Sequence, residues 1–566
     1  MDTMLVRRLL VALAVAALLL LCLFSLAQAA PANLFVRPTG SGTACTQASP
    51  CTLATALGRA VDGDTVFLAS GTYTGTGAAV ITVTRSISIY CGWNGTTATP
   101  VVRSARTYVS VIDGENQRRG IFLNVPGSVA IDGCTIVRGN ATNTIPYKCN
   151  GGGIYSSATM PVLTNNIISG CAASDSPATR GYGGGIYLAN AAPGAALASN
   201  RLQRNIAARQ NRGNGGGIAL ESSPGIVLVD NVIISNTASL TLGLGYGGGL
   251  YMARCDDARL AGNLLQGNVA QAGTATDYGA RGGGAEIYAS DRVTVLDNTF
   301  DGNTASVPYN GGGGGLQLWN AHAASIRHNT FEHNVGCGTA GEGAGRGGGL
   351  RLYGSRGVVI DANHFVANRA SHSTFGLGGA LYLSRNTSFA LTNNILALNH
   401  ASYEGGAIAF ETGPTEMVTG TLSHNTFVAN NLGSGNGRIA LHVNEPYVTL
   451  NGSNNLFSGH SYAVYGQDAS TVILTRTLFF GNSVADVGGT NVTSLSPISG
   501  QDPLLDASYH LKPGSPAINA GVPAGVTSDI DGDRRPMGGG FDIGADEFYQ
   551  FTEFRRLSLP FVVRVR

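Results

Sequence analysis

The chain has 566 residues, 81 of them glycine, with 12% charged and 7% aromatic side chains and a net charge of +1. Glycine near twice its usual share and charge near half its usual share exclude a helix-rich architecture, because each interior glycine costs a helix about 0.8–1 kcal/mol. The near-zero charge excludes a basic field for nucleic acid or an acidic membrane surface, and 43% hydrophobic residues exclude disorder.

Residues 1–29 read as a secretory signal. Arg7 and Arg8 precede the apolar run Leu9 to Leu26, and Ala27-Gln28-Ala29 supplies a small-x-small exit. The mature chain is therefore expected outside the cell or at its surface, without a transmembrane helix, since no second apolar run follows. Beyond Cys22, cysteines stand at 45, 51, 91, 134, 149, 171, 255 and 337, an even set that fits disulfides in an exported chain. Cys45 and Cys51 bracket a short loop and form the best single pair; the rest are open between bridges and buried thiols. No CxxC pair occurs, and the spacing carries no zinc signature.

Residues 32–64 are expected to cap the amino-terminal end. Leu53, Leu57 and Val61 fall at i, i+4 and i+8 before Gly63, which predicts an amphipathic helix over 52–62. Residues 65–500 then repeat. The third residue of each glycine cluster falls at Gly153, Gly185, Gly217, Gly249, Gly284, Gly315 and Gly349, continued by Ala380, Ala407 and Arg438, in steps of 27 to 35 residues. A second marker, two asparagines five apart, recurs with the same period at Asn200/Asn205, Asn231/Asn236, Asn263/Asn268, Asn298/Asn303, Asn329/Asn334, Asn363/Asn368, Asn394/Asn399 and Asn425/Asn430. Two markers on one period imply stacked laps.

Each repeat holds two short alternating stretches, too short for helices. A single unit cannot bury its apolar side, so laps must stack at ~4.8 Å and align like residues. Ile186, Ile218, Leu250, Leu316, Leu350, Leu381 and Ile408 should form one inward column. Leu188, Leu220, Met252, Ile287, Leu318, Leu352, Leu383 and Phe410 should form another. Asn205, Asn236, Asn268, Asn303, Asn334, Asn368, Asn399 and Asn430 should form a corner ladder, with left-handed backbone and amides bonded from lap to lap. The glycines should supply positive φ and close backbone approach. About a dozen laps make a rod of about 60 Å.

This pattern resembles the right-handed parallel β-helix of the pectate-lyase-like superfamily over roughly residues 32–500. The Gly-Gly-[Gly/Ala]-[Ile/Leu] and Phe-x-x-Asn pairing is similar to the repeats of chlamydial polymorphic membrane proteins, which implies surface display and adhesion. Those proteins end in a transmembrane β-barrel, and no such segment is expected within these residues. Within residues 501–548, Leu511 to Gly521, Asp531-Gly532-Asp533-Arg534-Arg535-Pro536 and Asp542 to Glu547 resemble a choice-of-anchor Q domain, expected here as the carboxyl-terminal cap. A short aromatic and basic tail, 549–566, follows. Asp529, Asp531 and Asp533 offer the oxygens calcium takes, but their glycine stands fourth rather than sixth as an EF-hand loop requires, which favours a capping turn.

Outward positions carry any chemistry. One column reads Tyr155, Tyr187, Tyr251, Glu286, Gln317, Arg351 and Tyr382; its neighbour reads Glu221, Tyr288, Trp319, Tyr353, Glu411 and His442. Tyr288, Trp319 and Tyr353 should form a solvent-facing platform flanked by Glu286, Gln317 and Arg351, an arrangement suited to the C–H faces and hydroxyls of a polysaccharide or surface glycan. Stacked rings that merely cover the sheet are the alternative. Loops 269–281, 304–312 and 335–346 should overhang this face. Pectate-lyase-like enzymes imply acidic calcium ligands with an arginine base, or an aspartate cluster with His-Gly and Arg-x-Lys motifs. Asp256-Asp257 lacks such partners and reads as a solvated turn, and His322, His328, His333, His364 and His424 scatter among turns. The sequence therefore points to an exported, carbohydrate-binding or adhesin-like solenoid without an assigned catalytic residue, with a polysaccharide lyase or hydrolase, or a purely structural envelope rod, as alternatives.

Overall fold

The computed structural model describes residues 31–549 except 242, 274–278, 339–342, 373–374, 414, 431–434 and 468, so the expected signal and nearly all of the tail lie outside the described residues. The chain winds into an all-β, right-handed parallel solenoid of about 13 turns. Three sheets run its length: sheet I with 16 strands, sheet II with 14 and sheet III with 15. Two further sheets, IV and V, hold seven strands each in the middle of the rod. A lap there contains five strands rather than the two expected. Ile186–Ala189 lies in sheet II, Ala196–Ala198 in sheet I, Arg201–Gln203 in sheet III, Ile206–Ala208 in sheet IV and Gly213–Asn214 in sheet V. Among the described residues no helix is long and apolar enough to cross a membrane.

The expected inward columns pair in register, with Ile186 on Ile218, Ile218 on Leu250 and Leu350 on Leu381, all fully buried. Phe300, Phe331 and Phe365 stack inside at ring separations of 4.7 Å. Both asparagines of the marker form ladders. In the expected one, Asn334 Nδ2 donates to Asn368 Oδ1 at 2.9 Å and to the Phe300 carbonyl at 2.8 Å, and its Oδ1 receives the Asn303 N–H and Nδ2. The other runs through Asn200, Asn231, Asn263, Asn298, Asn329, Asn363, Asn394 and Asn425 to Asn455. The left-handed backbone falls on the residue before the ladder asparagine, as at Arg204, Ser235 and His333, not on the asparagine itself. The preceding residue turns the chain. Asparagine is selected because one amide supplies both the donors and the acceptor that a buried corner requires.

The glycine clusters act as expected. Gly183 has φ +62°, and a Cβ on Gly184 would lie 2.4 Å from the Gly216 carbonyl oxygen of the next lap. The last marker needs correction: Ala407 bonds to Ala440, so Ala440 rather than Arg438 holds the third-glycine position. His442 also moves, because it pairs with Ala409 and belongs to the Tyr382 column.

The amino-terminal helix, α1, spans Leu53–Arg59, shorter than 52–62, with Thr52 accepting the Thr55 N–H as its cap. Ala56 and Ala60 are buried on the core with Leu53 and Leu57 against it, while Val61 is exposed. Cys45 is bonded to Cys51 and Cys91 to Cys134; Cys149, Cys171 and Cys255 are buried thiols.

The segment expected to close the carboxyl-terminal end lies instead along the flank. Ile530 and Ala545 pack on Ala362, Ile395 and Ala397; Leu511, Ala517 and Ile543 pack on Leu456 and Leu478. With Thr426, which accepts the Ala545 N–H, these partners run from the turn before His364–Val366 across four successive strands of sheet III. The inward valines of the last lap, Val487 and Val492, are only partly buried. Residues 535–547 supply the knot of this flank. Arg535 and Glu547 form a fully buried ion pair, and Arg535 also donates to the carbonyls of Gly544 and Ala545. Glu547 receives the N–H groups of Met537 and Asp542, and Asp542 receives those of Asn519 and Phe548.

Candidate functional site

The outer face of sheet II carries the two expected columns. Register stacks Tyr251, Glu286, Gln317, Arg351 and Tyr382 in one, and Tyr288, Trp319 and Tyr353 in the other. The segments expected to overhang as loops contribute strands instead. Val269–Gln271, Thr304–Ser306 and Val335–Cys337 enter sheet IV, and Ala280–Arg281, Gly311–Gly312 and Gly345–Arg346 enter sheet V. Together they make a rib beside sheet II. The rib buries the first column: Glu286 is 1%, Gln317 0% and Arg351 9% exposed. These three side chains therefore form a floor under the platform rather than a solvent-facing flank.

The floor is tightly built. Gly312 lacks a side chain where Arg351 reaches back one lap: a Cβ there would lie 2.5 Å from Arg351 Nη1 and 3.1 Å from Gln317 Oε1. Arg281 Nη1 lies 3.6 Å from Glu286 Oε1. Burial pushes the Glu286 carboxyl up to about 7, against the opposing pull of Arg281 and Arg351. Burial likewise lowers the Arg351 guanidinium to about 10. Among the described residues, Glu286 Oε2, both amide atoms of Gln317, and Nε of Arg346 and Arg351 have no hydrogen-bond partner. Such groups cost about 1–3 kcal/mol each when left unsatisfied, so this row is held at a cost to stability.

The rim differs from the expected three-ring platform. Trp319 and Tyr353 stack at 3.8 Å and 20°. The Arg281 guanidinium lies 3.4 Å from the Trp319 centroid. Arg281 belongs to the lap before Trp319 and Tyr353 to the lap after, so both faces of the indole are covered. Lap spacing is the cause: flat side chains on strands ~4.8 Å apart use one another's faces. Tyr288, Trp319 and Tyr353 remain partly exposed.

Beside Tyr353 opens a cleft of about 320 Å³, lined by Asn320, His322, Arg356, Arg385, Asn386 and Glu416 along with Tyr353 and Gly354. Arg385 donates to Glu416 Oε1 at 2.9 Å and holds its guanidinium 5.5 Å from the Tyr353 centroid. His322 Nδ1 receives the Arg356 N–H at 3.2 Å. Sequence reasoning missed this cleft because its polar residues occupy the turns that leave sheet II. The available signal was the chemistry of those turns: Asn320 and His322 after Trp319, Arg356 after Tyr353, then Arg385 and Asn386 after Ser384, the equivalent position of the next lap.

Other candidates resolve into structure. Asp256 and Asp257 pair with Arg292 at the surface. His424 is buried and bonds the Asp542 carbonyl. Asp529 spends both carboxylate oxygens on backbone donors, Oδ1 on the N–H groups of Asp531 and Asp533 and Oδ2 on that of Glu547, which makes it the organiser of the capping turn. Among the described residues no second carboxylate stands on the strand positions adjoining Glu286, which are Tyr251, Ala253, Tyr288, Gln317 and Trp319.

No curated protein matches the sequence. Among solved structures, pectate lyase Pel9A is 11% identical, covering 92% of this chain and 97% of its own, with a TM-score of 0.26. The GH136 lacto-N-biosidase from Eubacterium ramulus is 9% identical over 83% of this chain and 68% of its own, with a TM-score of 0.31. PfbA, a surface adhesin of Streptococcus pneumoniae, is 10% identical over 72% of this chain and 84% of its own, with a TM-score of 0.30. These figures assign neither ligand nor reaction. The family described as right handed beta helix region matches residues 104–300 and 274–451, more than half of the sequence. Repeat period, parallel register and family match agree: the chain belongs to the right-handed β-helix family.

Proposed function

We propose that this protein is exported, displayed at or released from the cell surface, and binds polysaccharide on the outer face of sheet II. The observation that carries the reading is the open cleft beside the Trp319–Tyr353 stack, where an aromatic wall meets amide, imidazole, guanidinium and carboxylate groups. Sugar hydroxyls need donors and acceptors around an apolar surface, and the cleft offers both. In this reading Tyr288, Trp319 and Tyr353 meet the glycan at the rim, and Glu286, Gln317 and Arg351 brace it from below. Display rests on the signal-like residues 1–29 and on the resemblance to polymorphic membrane protein repeats and to a choice-of-anchor Q domain.

The test is affinity electrophoresis of the full chain against a panel of neutral and acidic polysaccharides. Retardation in at least one gel, lost about tenfold or more in Tyr353→Ala and Arg385→Ala without product release, supports the reading. Binding unchanged in both variants overturns the cleft, and no binding to any polymer leaves a structural rod. Release of oligosaccharides in the same assay would instead establish a polysaccharide lyase or hydrolase.

A further inference from the structure

The flank segment brings together three side chains that its sequence keeps apart. His510 Nε2 lies 2.9 Å from Asp531 Oδ2. Asp546 completes the group, and one donor atom from each residue falls within 4.8 Å of the others. First-row cations hold nitrogen and oxygen donors at about 2.0–2.2 Å, so donors bound to one ion lie roughly 3–4.4 Å apart. One small closing movement satisfies that geometry.

The three donors are locked to one another. The buried Asp529 receives the Asp531 N–H at 3.0 Å and the Glu547 N–H at 2.9 Å, fixing the chain at and beside two of them. Asp546 Oδ2 receives the Leu511 N–H at 2.7 Å, next to the third. Asp546 is only 8% exposed and commits Oδ2 to the Leu511 N–H, which leaves Oδ1, without a hydrogen-bond partner among the described residues, to accept solvent or a cation. Tyr509, Ile530 and Ala545, each next to one of the three, pack on Ala362, Ile395 and Ala397, so the group sits where the flank meets the solenoid.

We propose that His510, Asp531 and Asp546 form a binding site for a divalent transition cation of the zinc or manganese type, which clamps three separate stretches of the flank segment to one another. One imidazole and two carboxylates suit such ions, whereas calcium takes six to eight oxygens. Solvent water completes the coordination on the exposed Asp531 side. Asp529, Asp531 and Asp533 suggested calcium from sequence; the fold instead turns Asp529 inward as the support and joins Asp531 to donors 15 and 21 residues away.

The test uses the full chain stripped with chelator and titrated calorimetrically with Zn²⁺, Mn²⁺ and Ca²⁺ in separate runs. One equivalent of Zn²⁺ or Mn²⁺ binding at micromolar Kd or tighter, with a rise in melting temperature, is expected. Asp531→Asn and His510→Ala, both at accessible positions, should weaken binding about 100-fold, and Asp533→Asn, outside the donor set, should leave it unchanged. Binding absent below millimolar concentration, equal binding by Asp531→Asn, or preference for Ca²⁺ would overturn the proposal, leaving His510 and Asp531 as an ion pair alone.

Discussion

Removing one rung of the asparagine ladder measures how the laps are held together. Asn334 serves four bonds through its side chain: Nδ2 donates to the Phe300 carbonyl and to Asn368 Oδ1, and Oδ1 receives the Asn303 N–H and Nδ2. Asn334→Ala leaves the Asn303 N–H, one Asn303 amide hydrogen and the Phe300 carbonyl without these partners, all in a fully buried corner. At about 1–3 kcal/mol per orphaned group, with part recovered by relaxation, the loss should be about 4 kcal/mol. Asn334→Asp keeps an acceptor for Asn303 but loses both donors and sets a carboxylate against two oxygens, so it should be worse than alanine at pH 7 and recover as the carboxyl protonates in acid. The assay is urea unfolding followed by far-UV circular dichroism. Because Asn303 and Asn334 share bonds, Asn303→Ala with Asn334→Ala should cost less than the two single losses combined. A loss below 1 kcal/mol in Asn334→Ala, or strict additivity of the pair, would refute the ladder as a source of stability.

Three further predictions concern titration and the flank. The Glu286 pKa rises from 4.5 to about 7 on folding, so its contribution is intact below pH 4.5 and lost as pH rises through 7, ~3 kcal/mol in all. Glu286→Gln should therefore flatten the loss of melting temperature between pH 5 and pH 8, and an unchanged slope would contradict the burial argument. His460 takes the next ladder position after Asn430, and burial pulls its imidazole down to about 3. Its contribution is present above 6.5 and lost as pH falls toward 3, so His460→Asn should melt like the parent at pH 7 and be more stable by about 3 kcal/mol at pH 4. Arg535→Ala strands the buried Glu547 and should cost about 3–5 kcal/mol, seen as faster proteolysis within 501–549, while Arg535→Met with Glu547→Gln, which removes both charges and keeps an acceptor for the Met537 and Asp542 N–H groups, should restore part of the resistance.

The period and the chemistry of the repeat were legible because a solenoid places equivalent residues on one another. Ile186 and Ile218, or Asn303 and Asn334, announce their contact by recurring. The same logic placed Glu286, Gln317 and Arg351 in one column and Trp319 beside Tyr353 in the next. It said nothing of what would cover them. The rib arises from two- and three-residue strands of glycine, alanine and serine, such as Gly311–Gly312, whose composition is that of a loop. Only its packing against sheet II decides that Gln317 is fully buried.

What the sequence determined by itself was therefore the winding: lap length, inward columns, corner amides and the close glycine contacts, all properties of one lap repeated. The tertiary structure decided the surface. It covered both faces of Trp319, opened the cleft at the turns after sheet II, and laid the flank along four strands rather than across the end. The physical reason is that repetition fixes contacts between equivalent residues, whereas burial and site geometry depend on contacts between unlike segments, such as Arg281 over Trp319 or Ala545 against Thr426, which no period encodes.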